Sequence, residues 1–323
     1  MKRLMRASTL ALSMLALAGC SDERSAIGSD AAAAAAKAAR AAYDKEILDW
    51  RAGRVQRLTK PDGWLSLVGM HWLEVGNTRV GAAADNGTRL AVGPAHLGVL
   101  TLGKDGQLSF HPEVGAEVII DGQPAAAATA LRSDADLNVE PTVVAFNKGD
   151  ASFIVIKRGG RYALRVRDAL SPNRSKFAGI QYFDIDPAFR VSARFNAHPP
   201  GTKIGITNVL GMVEPMDNPG TITFTRDGKP YTLEAVDEGD HQLFLMYADR
   251  TSGHESYPAA RFLYADYPDP RGNTIVDFNK GYSPPCAFTD FATCPLPPTS
   301  NRLDLAITAG EKKPVHPAPV VIN

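Results

Sequence analysis

Cysteine, net charge and long apolar segments are scarce in this chain, and each scarcity excludes a class of protein. Three cysteines among 323 residues are too few for a small scaffold held together by many disulfides. The 35 basic and 35 acidic side chains give a formal net charge of zero, which argues against a nucleic-acid-binding protein that relies on a basic surface. The apolar residues, 44% of the chain, suffice for the core of one large or two ordinary domains.

The short motifs of common catalytic and nucleotide-binding sites are also missing. The chain contains no GxSxG, no SxxK, no glycine-rich phosphate loop and no GxGxxG before a helix. Its seven histidines are scattered, and His254-Glu255 lacks the second histidine of the HExxH zinc motif. The sequence therefore predicts no metal site and no cofactor, and it nominates no nucleophile.

The N-terminus has the layout of a signal peptide. Lys2, Arg3 and Arg6 precede an apolar run from Ala7 to Ala18. That run is shorter than the roughly twenty residues that a membrane-spanning helix needs, but it is typical of a secretory signal. No later apolar run approaches the length of a spanning helix.

The end of this run, Leu17-Ala18-Gly19-Cys20, resembles the lipobox of bacterial lipoproteins. The resemblance implies cleavage before Cys20, so that residues 1–19 are the signal peptide, and acylation of Cys20 with fatty-acyl groups such as palmitate. Ser21 after the cysteine favours the outer membrane, with the protein facing the periplasm. The alternative is an ordinary signal peptide cleaved nearby, in which Cys20 is incidental.

The next segment predicts a tether over residues 20–31 and a helix over residues 32–60. Alanine is the best helix former, and Ile47, Trp50 and Arg54 fall at helical spacing. Pro61-Asp62-Gly63 ends the pattern. For residues 31–40, a low-complexity spacer is the alternative.

After Gly63 the pattern becomes that of a mainly β protein. Short alternating runs are separated by turn residues, as at Asp121-Gly122 and Asp227-Gly228, and Asp-Gly between such runs is the strongest short-range hairpin signal. The sequence predicts a β-sandwich over residues 61–140 and a larger antiparallel sheet or barrel-like domain over residues 141–313. A flexible tail is expected over residues 314–323.

The first β domain contains four short motifs, Gly76-Asn77-Thr78-Arg79-Val80-Gly81, Asp85-Asn86, Pro94-Ala95-His96-Leu97-Gly98 and Asp121-Gly122-Gln123. In this order they resemble the motifs of forkhead-associated domains. The resemblance, over residues 64–125, implies a β-sandwich. Ala82 stands where that family has its phosphate-reading arginine, so phosphopeptide binding is not implied.

The C-terminal segment contains the sequences Arg261-Phe262-Leu263-Tyr264, Asp277-Phe278-Asn279-Lys280-Gly281-Tyr282 and Asn301-Arg302-Leu303, and an earlier segment reads Gly63-Trp64-Leu65-Ser66-Leu67-Val68-Gly69. Together these motifs resemble a bacterial and archaeal family known as domain of unknown function 1684. The likeness extends over about residues 45–313. The family has no established activity, so the resemblance implies membership without a mechanism.

Residues 254–311 concentrate polar side chains beside apolar ones. These side chains are Arg261, Asp277, Asn279, Asn301, Arg302 and Glu311. Unpartnered polar groups are costly to bury, by several kcal/mol, so these side chains must pair with one another or line a cleft. One interpretation is a buried network of ion pairs and amides that holds proline-rich loops. The other is a pocket for a small anionic ligand.

The pocket interpretation assigns a role to each residue. The ligand-binding candidates are Arg261, Asn279, Asn301 and Arg302. The candidate catalytic acids or bases are Asp277, Glu311 and His254. The sequence favours a binding or scaffold protein, and the alternative is a metal-independent, hydrolase-like enzyme that uses the same cleft. A purely structural envelope protein is a third hypothesis.

Cys286 and Cys294 enclose a short loop between two proline-containing segments. In an oxidising periplasm they are expected to form a disulfide. Free structural thiols, a metal pair and a catalytic thiol are the alternatives. The expected partners are thus the membrane, through the lipid anchor, and a small anionic ligand, with no nucleic acid. The oligomeric state is left open.

Overall fold

The computed structural model describes residues 21–135, 138–239 and 241–315. The predicted signal peptide and the lipidation of Cys20 lie outside the described residues, as does all of the predicted tail beyond Val315. The chain divides into two compact units, Met1–Leu48 and Asp49–Asn323. No helix in the described ranges combines the length and the apolar character needed to cross a bilayer.

The predicted N-terminal helix is present and is longer than expected. Helix α1 spans Ser21–Leu58 and therefore includes residues 21–31, where the sequence predicts a tether. The alanine-rich stretch propagates a helix in both directions because alanine loses no side-chain entropy in it. Within the first unit, Arg40 Nε donates to Asp44 Oδ1 at 2.7 Å, one turn further along α1.

Beyond α1 the described residues form strands, one further short α-helix, α2 (Pro172–Ser175), and several three-residue 3-10 helices. The strands are β1 (Leu67–Trp72), β2 (Gly76–Gly81), β3 (Thr88–Arg89), β4 (Gly98–Leu102), β5 (Leu108–Pro112), β6 (Ile119–Ile120), β7 (Gln123–Pro124), β8 (Thr129–Leu131), β9 (Val144–Phe146), β10 (Ala151–Arg158), β11 (Arg161–Asp168), β12 (Arg190–Ala197), β13 (Lys203–Thr207), β14 (Val213–Arg226), β15 (Lys229–Asp237), β16 (Gln242–Tyr247), β17 (Arg261–Asp266) and β18 (Asn273–Asp277). The mainly β fold predicted from the sequence is confirmed.

Two Asp-Gly pairs make the hairpins that the sequence predicts. Asp121 and Gly122 join β6 to β7, and Asp227 and Gly228 join β14 to β15. All four residues have positive φ, between 47° and 79°. Two consecutive residues with positive φ match the right-handed twist of the flanking strands, which is why this dipeptide favours a tight hairpin.

The first two sheets pack face to face as a sandwich. One sheet has the order β3-β2-β4-β5-β8 and the other the order β1-β11-β10-β9-β6-β7. Their side chains share one core, in which the rings of Phe110 and Phe153 lie edge to face with centroids 5.4 Å apart. Strands on both sides of residues 140–141 belong to the second of these sheets. The finer resemblance to forkhead-associated domains stays a prediction.

The third sheet is antiparallel and nearly closed into a barrel. Its strand order is β17-β16-β15-β14-β12-β18, and β13 pairs with β14 as a branch. The end strands approach each other, and Thr274 Oγ1 in β18 donates to the carbonyl oxygen of Asp266 in β17 at 2.8 Å. The interior is filled by side chains of the strands and by Leu303, Ile307 and Ala309 of the C-terminal segment. The predicted barrel-like second sheet is therefore confirmed.

Candidate functional site

Glu311 forms a buried ion pair with a residue from the end of α1. Arg54 Nε donates to Glu311 Oε1 at 3.0 Å, and the two side chains are 7% and 0% exposed. The other carboxylate oxygen accepts the backbone N–H of Ser283 at 2.8 Å, and the Arg54 guanidinium lies 4.7 Å from the ring centroid of Tyr282. Burial raises the pKa of Glu311, while Arg54 and Ser283 oppose the rise. All of these contacts are with protein groups.

Arg261 is also fully buried and fastens the C-terminal segment to the barrel. Its Nη2 lies 3.1 Å from Asp249 Oδ1 and donates to the carbonyl oxygen of Ile307 at 2.8 Å. Its Nη1 donates to the carbonyl oxygen of Ala309. The second oxygen of Asp249 accepts the backbone N–H of Ile307 at 2.7 Å. Arg261 and Asp249 thus hold the backbone of residues 307–309 from two sides.

Asn279 and Asp277 form a local hydrogen-bond network at the end of β18. The Asn279 side chain accepts the Asp186 N–H at 2.9 Å and donates to the Asp186 carbonyl oxygen at 2.8 Å. Asp277 Oδ1 accepts the backbone N–H of Asn279 at 3.1 Å. An asparagine amide that pairs with both backbone groups of one residue replaces a strand pairing, and so fixes the loop before β12.

Asn301 makes the same kind of bridge between two strands that diverge. The pairing of β15 with β16 is confined to Val236–Phe244 and Asp237–Leu243. Beyond it, Asn301 Nδ2 donates to the carbonyl oxygens of Glu234, at 3.0 Å, and Met246, at 2.8 Å. Its Oδ1 accepts the N–H of Glu234 at 2.7 Å. The amide fills the gap in the sheet.

The two remaining candidates from the sequence lie at the surface. His254 is exposed in a turn where its backbone N–H donates to Thr251 O at 3.1 Å. Arg302 is exposed immediately after the buried Asn301. The six candidates other than His254 therefore do not surround one open space: five are engaged with protein groups and Arg302 faces outward. These contacts fit the network interpretation.

The predicted disulfide is confirmed. Cys286 and Cys294 are bonded, with their Cα atoms 6.1 Å apart. The bond closes a loop whose residues Ala287 and Phe288 pack in a small apolar cluster with Leu58 and Leu65. The loop is therefore tied both covalently and by packing.

A cavity of about 300 Å³ lies beside this loop, and the sequence did not predict it. Its apolar wall includes Leu65, Phe177, Phe288, Phe291 and Val315, and its polar lining is Asn173, Thr289 and Asp290. We call it the disulfide-loop pocket.

The sequence contained one indication of this pocket, the two phenylalanines between Cys286 and Cys294. It could not show that Phe177, from a distant segment, lies beside them. The other residues that sequence reasoning missed, Arg54 and Asp249 as ion-pair partners, gave no local signal.

A family model matches the part of the chain that contains the barrel-like sheet and the disulfide. Residues 175–312 match the family described as "Protein of unknown function (DUF1684)". This segment belongs to the DUF1684 family. The resemblance predicted for about residues 45–313 is thus confirmed over the shorter range, which contains the barrel-like sheet, the disulfide and the buried polar residues. Helix α1 and the sandwich precede the DUF1684 segment.

The chain is also similar to a protein of known structure whose activity is not described. It is the solution NMR structure of an uncharacterized protein from Haloarcula marismortui, which is 34% identical, covers 43% of this chain and 78% of its own chain, and has a TM-score of 0.36. No curated protein matches this chain.

Proposed function

We propose that this protein is a lipid-anchored protein of the cell envelope that binds a small, largely apolar molecule in the disulfide-loop pocket. The observation that carries the proposal is the lining of the pocket: aromatic and aliphatic walls with a few polar groups from Asn173, Thr289 and Asp290. Ligand sites are usually cavities of about 300–1,000 Å³ with this composition, and this pocket lies at the lower end of that range.

The walls of the pocket are held by contacts that do not depend on a ligand. Tyr257 donates its hydroxyl hydrogen to the carbonyl oxygen of Cys286 at 3.1 Å, and the disulfide closes the same loop. On the other side, Arg174 donates to the carbonyl oxygens of Thr59 and Ala169, each at 2.7 Å. A cavity whose walls are fixed in advance loses less conformational entropy on binding.

The buried polar residues have a structural role in this proposal. Arg261 has less support as an anion-binding residue because its guanidinium bonds to protein acceptors, and Arg302 is exposed at the surface. The hydrolase-like alternative has less support for a similar reason. Asp277 and Glu311 accept hydrogen bonds from different neighbours, and His254 lies in an exposed turn.

The envelope location is supported by two independent features. The lipobox-like sequence before Ser21 implies an acylated Cys20. The disulfide is typical of the oxidising compartments outside the cytoplasm. A protein attached by acyl chains, without a spanning helix, would hold the pocket close to a membrane that contains apolar small molecules.

The pocket is tested by titrating the purified mature protein with Nile red, a neutral apolar fluorophore. We expect saturable binding with one site per chain. Ala178, an exposed residue of the pocket lining, offers a blocking variant: Ala178→Trp places an indole in the cavity without removing a core side chain. We expect at least a tenfold loss of affinity.

The matched control is Ala126→Trp, which adds the same indole to an exposed loop of the sandwich. It should bind Nile red as the unmodified protein does. Absence of saturable binding, or equal binding by Ala178→Trp, would contradict the proposal. Mass spectrometry of molecules retained through gentle purification then identifies the natural ligand class.

A further inference from the structure

A row of four arginines lies on the face of β10 and β11 that is turned away from the sandwich core. Leu164 and Val166 of β11 are 0% exposed within that core. Arg165 and Arg167 alternate with them and therefore point to the opposite face. Arg158 and Arg161 are paired across β10 and β11 at the end of the same face. We call these four residues the arginine face.

Two members of the arginine face have acidic partners. Arg158 makes two hydrogen bonds to the carboxylate of Asp134, at 3.0 and 2.8 Å. Arg161 lies 3.7 Å from Glu74 and 4.6 Å above the ring of Trp72. Asp134 is fully engaged, since its Oδ1 also accepts the backbone N–H of Lys157 at 2.8 Å. Asp134 and Glu74 thus pair with Arg158 and Arg161, and Asp134 acts on Arg165 only through its charge.

Arg165 and Arg167 have no ion pair with any described residue. Arg165 is only 5% exposed, and its Nε, like that of Arg167, is buried without a hydrogen-bond partner among the described residues. Its guanidinium lies 5.3 Å from the ring centroid of Trp64, and its strand neighbours are the apolar Met70 and Ile154. A charge removed from water in such surroundings is strongly unfavourable unless an opposite charge accompanies it.

The electrostatic surroundings agree with this description. Burial, followed by repulsion from Arg158, lowers the pKa of Arg165 to about 10. Burial also lowers the pKa of Arg167, and the charge of Asp62 only partly opposes this. A guanidinium with a pKa of about 10 remains protonated at neutral pH, so Arg165 carries a positive charge. The charges of Asp134 and Asp62 act on Arg165 and Arg167 respectively, without forming an ion pair with them.

We propose that Arg165 and Arg167 together bind a small oxyanion, with a phosphate or carboxylate group between their guanidinium groups. The Cα atoms of residues two positions apart on one strand are about 6.7 Å apart. Two long arginine side chains that start from this spacing can reach one tetrahedral or planar oxyanion with charge-assisted hydrogen bonds. The ring of Trp64 forms one side of the site. Because Arg165 is nearly enclosed, the site suits a small soluble anion and not a headgroup at a bilayer surface.

This site is distinct from the disulfide-loop pocket, although two neighbouring residues of the chain contribute one to each. Trp64 contacts Arg165, whereas Leu65 lines the pocket. The oxyanion proposal does not rest on the pocket: a neutral probe tests the pocket and an inorganic anion tests the arginines. Failure of one experiment therefore leaves the other proposal unaffected.

The test uses the full mature protein in chloride buffer free of phosphate and sulfate, at constant ionic strength. Isothermal titration with inorganic phosphate, and separately with acetate, distinguishes the two oxyanion groups. We expect saturable binding of at least one of them at millimolar concentrations and a matching rise in the melting temperature. Arg165→Met and Arg167→Met should each weaken that binding at least tenfold.

Arg161→Met is the matched control, because Arg161 lies on the same face of the same strand but has Glu74 as a partner. Its anion affinity should equal that of the unmodified protein. Methionine at position 165 keeps an unbranched chain against Trp64 and removes the unpaired charge, so Arg165→Met should fold and melt higher in the absence of anion. If it does not fold, the half-buried Arg167 supplies the deciding variant.

Two results would overturn the proposal. One is the absence of saturable phosphate or acetate binding to the unmodified protein. The other is binding that Arg165→Met and Arg167→Met leave unchanged, which would place the anion elsewhere on the chain.

Discussion

Arg54 donates a hydrogen bond to Glu311 across 257 positions of the chain, with an Nε–Oε1 distance of 3.0 Å. Both side chains are buried, and Arg54 also donates to the carbonyl oxygen of Ser283 at 2.8 Å. The last turns of α1 and the C-terminal segment are thereby fixed to the loop that follows β18. This ion pair links the region before the sandwich to the DUF1684 segment.

Glu311→Ala should destabilise the protein by about 3 kcal/mol, because it leaves the buried Arg54 charge and the Ser283 N–H without their partner. Urea unfolding at neutral pH measures the change. The control is Asp44→Ala, which removes the exposed partner of Arg40 in α1 and should cost less than about 0.5 kcal/mol. Equal effects of the two variants would show that burial does not govern the strength of the Arg54–Glu311 pair.

The stability should also depend on pH through Glu311. Burial raises its pKa in the folded protein above the ordinary value of 4.5. A carboxyl with a raised folded pKa contributes stability that is fully present below about pH 4.5 and is lost as the pH rises through the folded pKa. The glutamine of Glu311→Gln does not titrate, so the free energy of unfolding of the native protein minus that of the variant should fall as the pH rises above about 4.5. A difference that rises with pH would contradict this sign.

Asp249→Ala should destabilise the protein by about 3–5 kcal/mol, since it leaves the enclosed Arg261 without its counter-charge. The double variant Asp249→Ala with Arg261→Met removes both charges and should recover a large part of that loss, and Arg261→Met alone completes the cycle. Thermal and urea unfolding of the single and double variants measure the coupling. Arg302→Ala, at an exposed position, is the control and should be close to neutral; additive effects at 249 and 261 would refute the pairing.

The Cys286–Cys294 disulfide should stabilise the folded state by about 2.5 kcal/mol, the loop-closure entropy expected for a loop of this length. The variant Cys286→Ser with Cys294→Ser tests this by urea unfolding. Phe288 and Phe291 lie between the two cysteines and line the pocket. The affinity of this double variant for Nile red should therefore also be lower than that of the unmodified protein. Unchanged affinity would mean that packing alone holds the loop. Thiol labelling of the unfolded, unreduced mature protein should find no free cysteine, and two labels would refute the disulfide.

Cys20→Ala should release the protein from the membrane fraction, because acyl chains on Cys20 are the proposed attachment. Fractionation of cells that produce the tagged chain measures the distribution, and Ser21→Ala is the control that keeps the cysteine. Continued sedimentation of Cys20→Ala with membranes would contradict the lipoprotein proposal.

Local sequence patterns predicted the features that depend on neighbouring residues. The Asp227-Gly228 hairpin follows from the left-handed conformation that this dipeptide adopts easily. Helix α1 follows from its alanine content, although the sequence placed its start later than Ser21. The Cys286–Cys294 pair was predictable because the two cysteines are close in the chain and enclose a short loop between two proline-containing segments.

The pairing between distant segments was not predictable from such patterns. β1 pairs with β11 although nearly one hundred residues of chain separate them, so the strands on both sides of Glu140-Pro141 share a sheet. No local signal identified Asp249 as the partner of Arg261, or Phe177 as a wall of the pocket. Each of these relationships depends on which elements the fold brings together.

The sequence by itself determined that this chain is a mainly β protein with an N-terminal helix, a disulfide and a concentration of polar residues near its C-terminus. Only the tertiary structure decided what those polar residues do: Arg261, Asn279, Asn301 and Glu311 bond to protein partners, whereas Arg165 is buried against Trp64 with no hydrogen bond or ion pair to a described residue. The physical reason is that burial and pairing are properties of a position in space. The residue type of a charged side chain does not show whether the fold will surround it with hydrogen-bonding partners, because those partners come from distant parts of the chain.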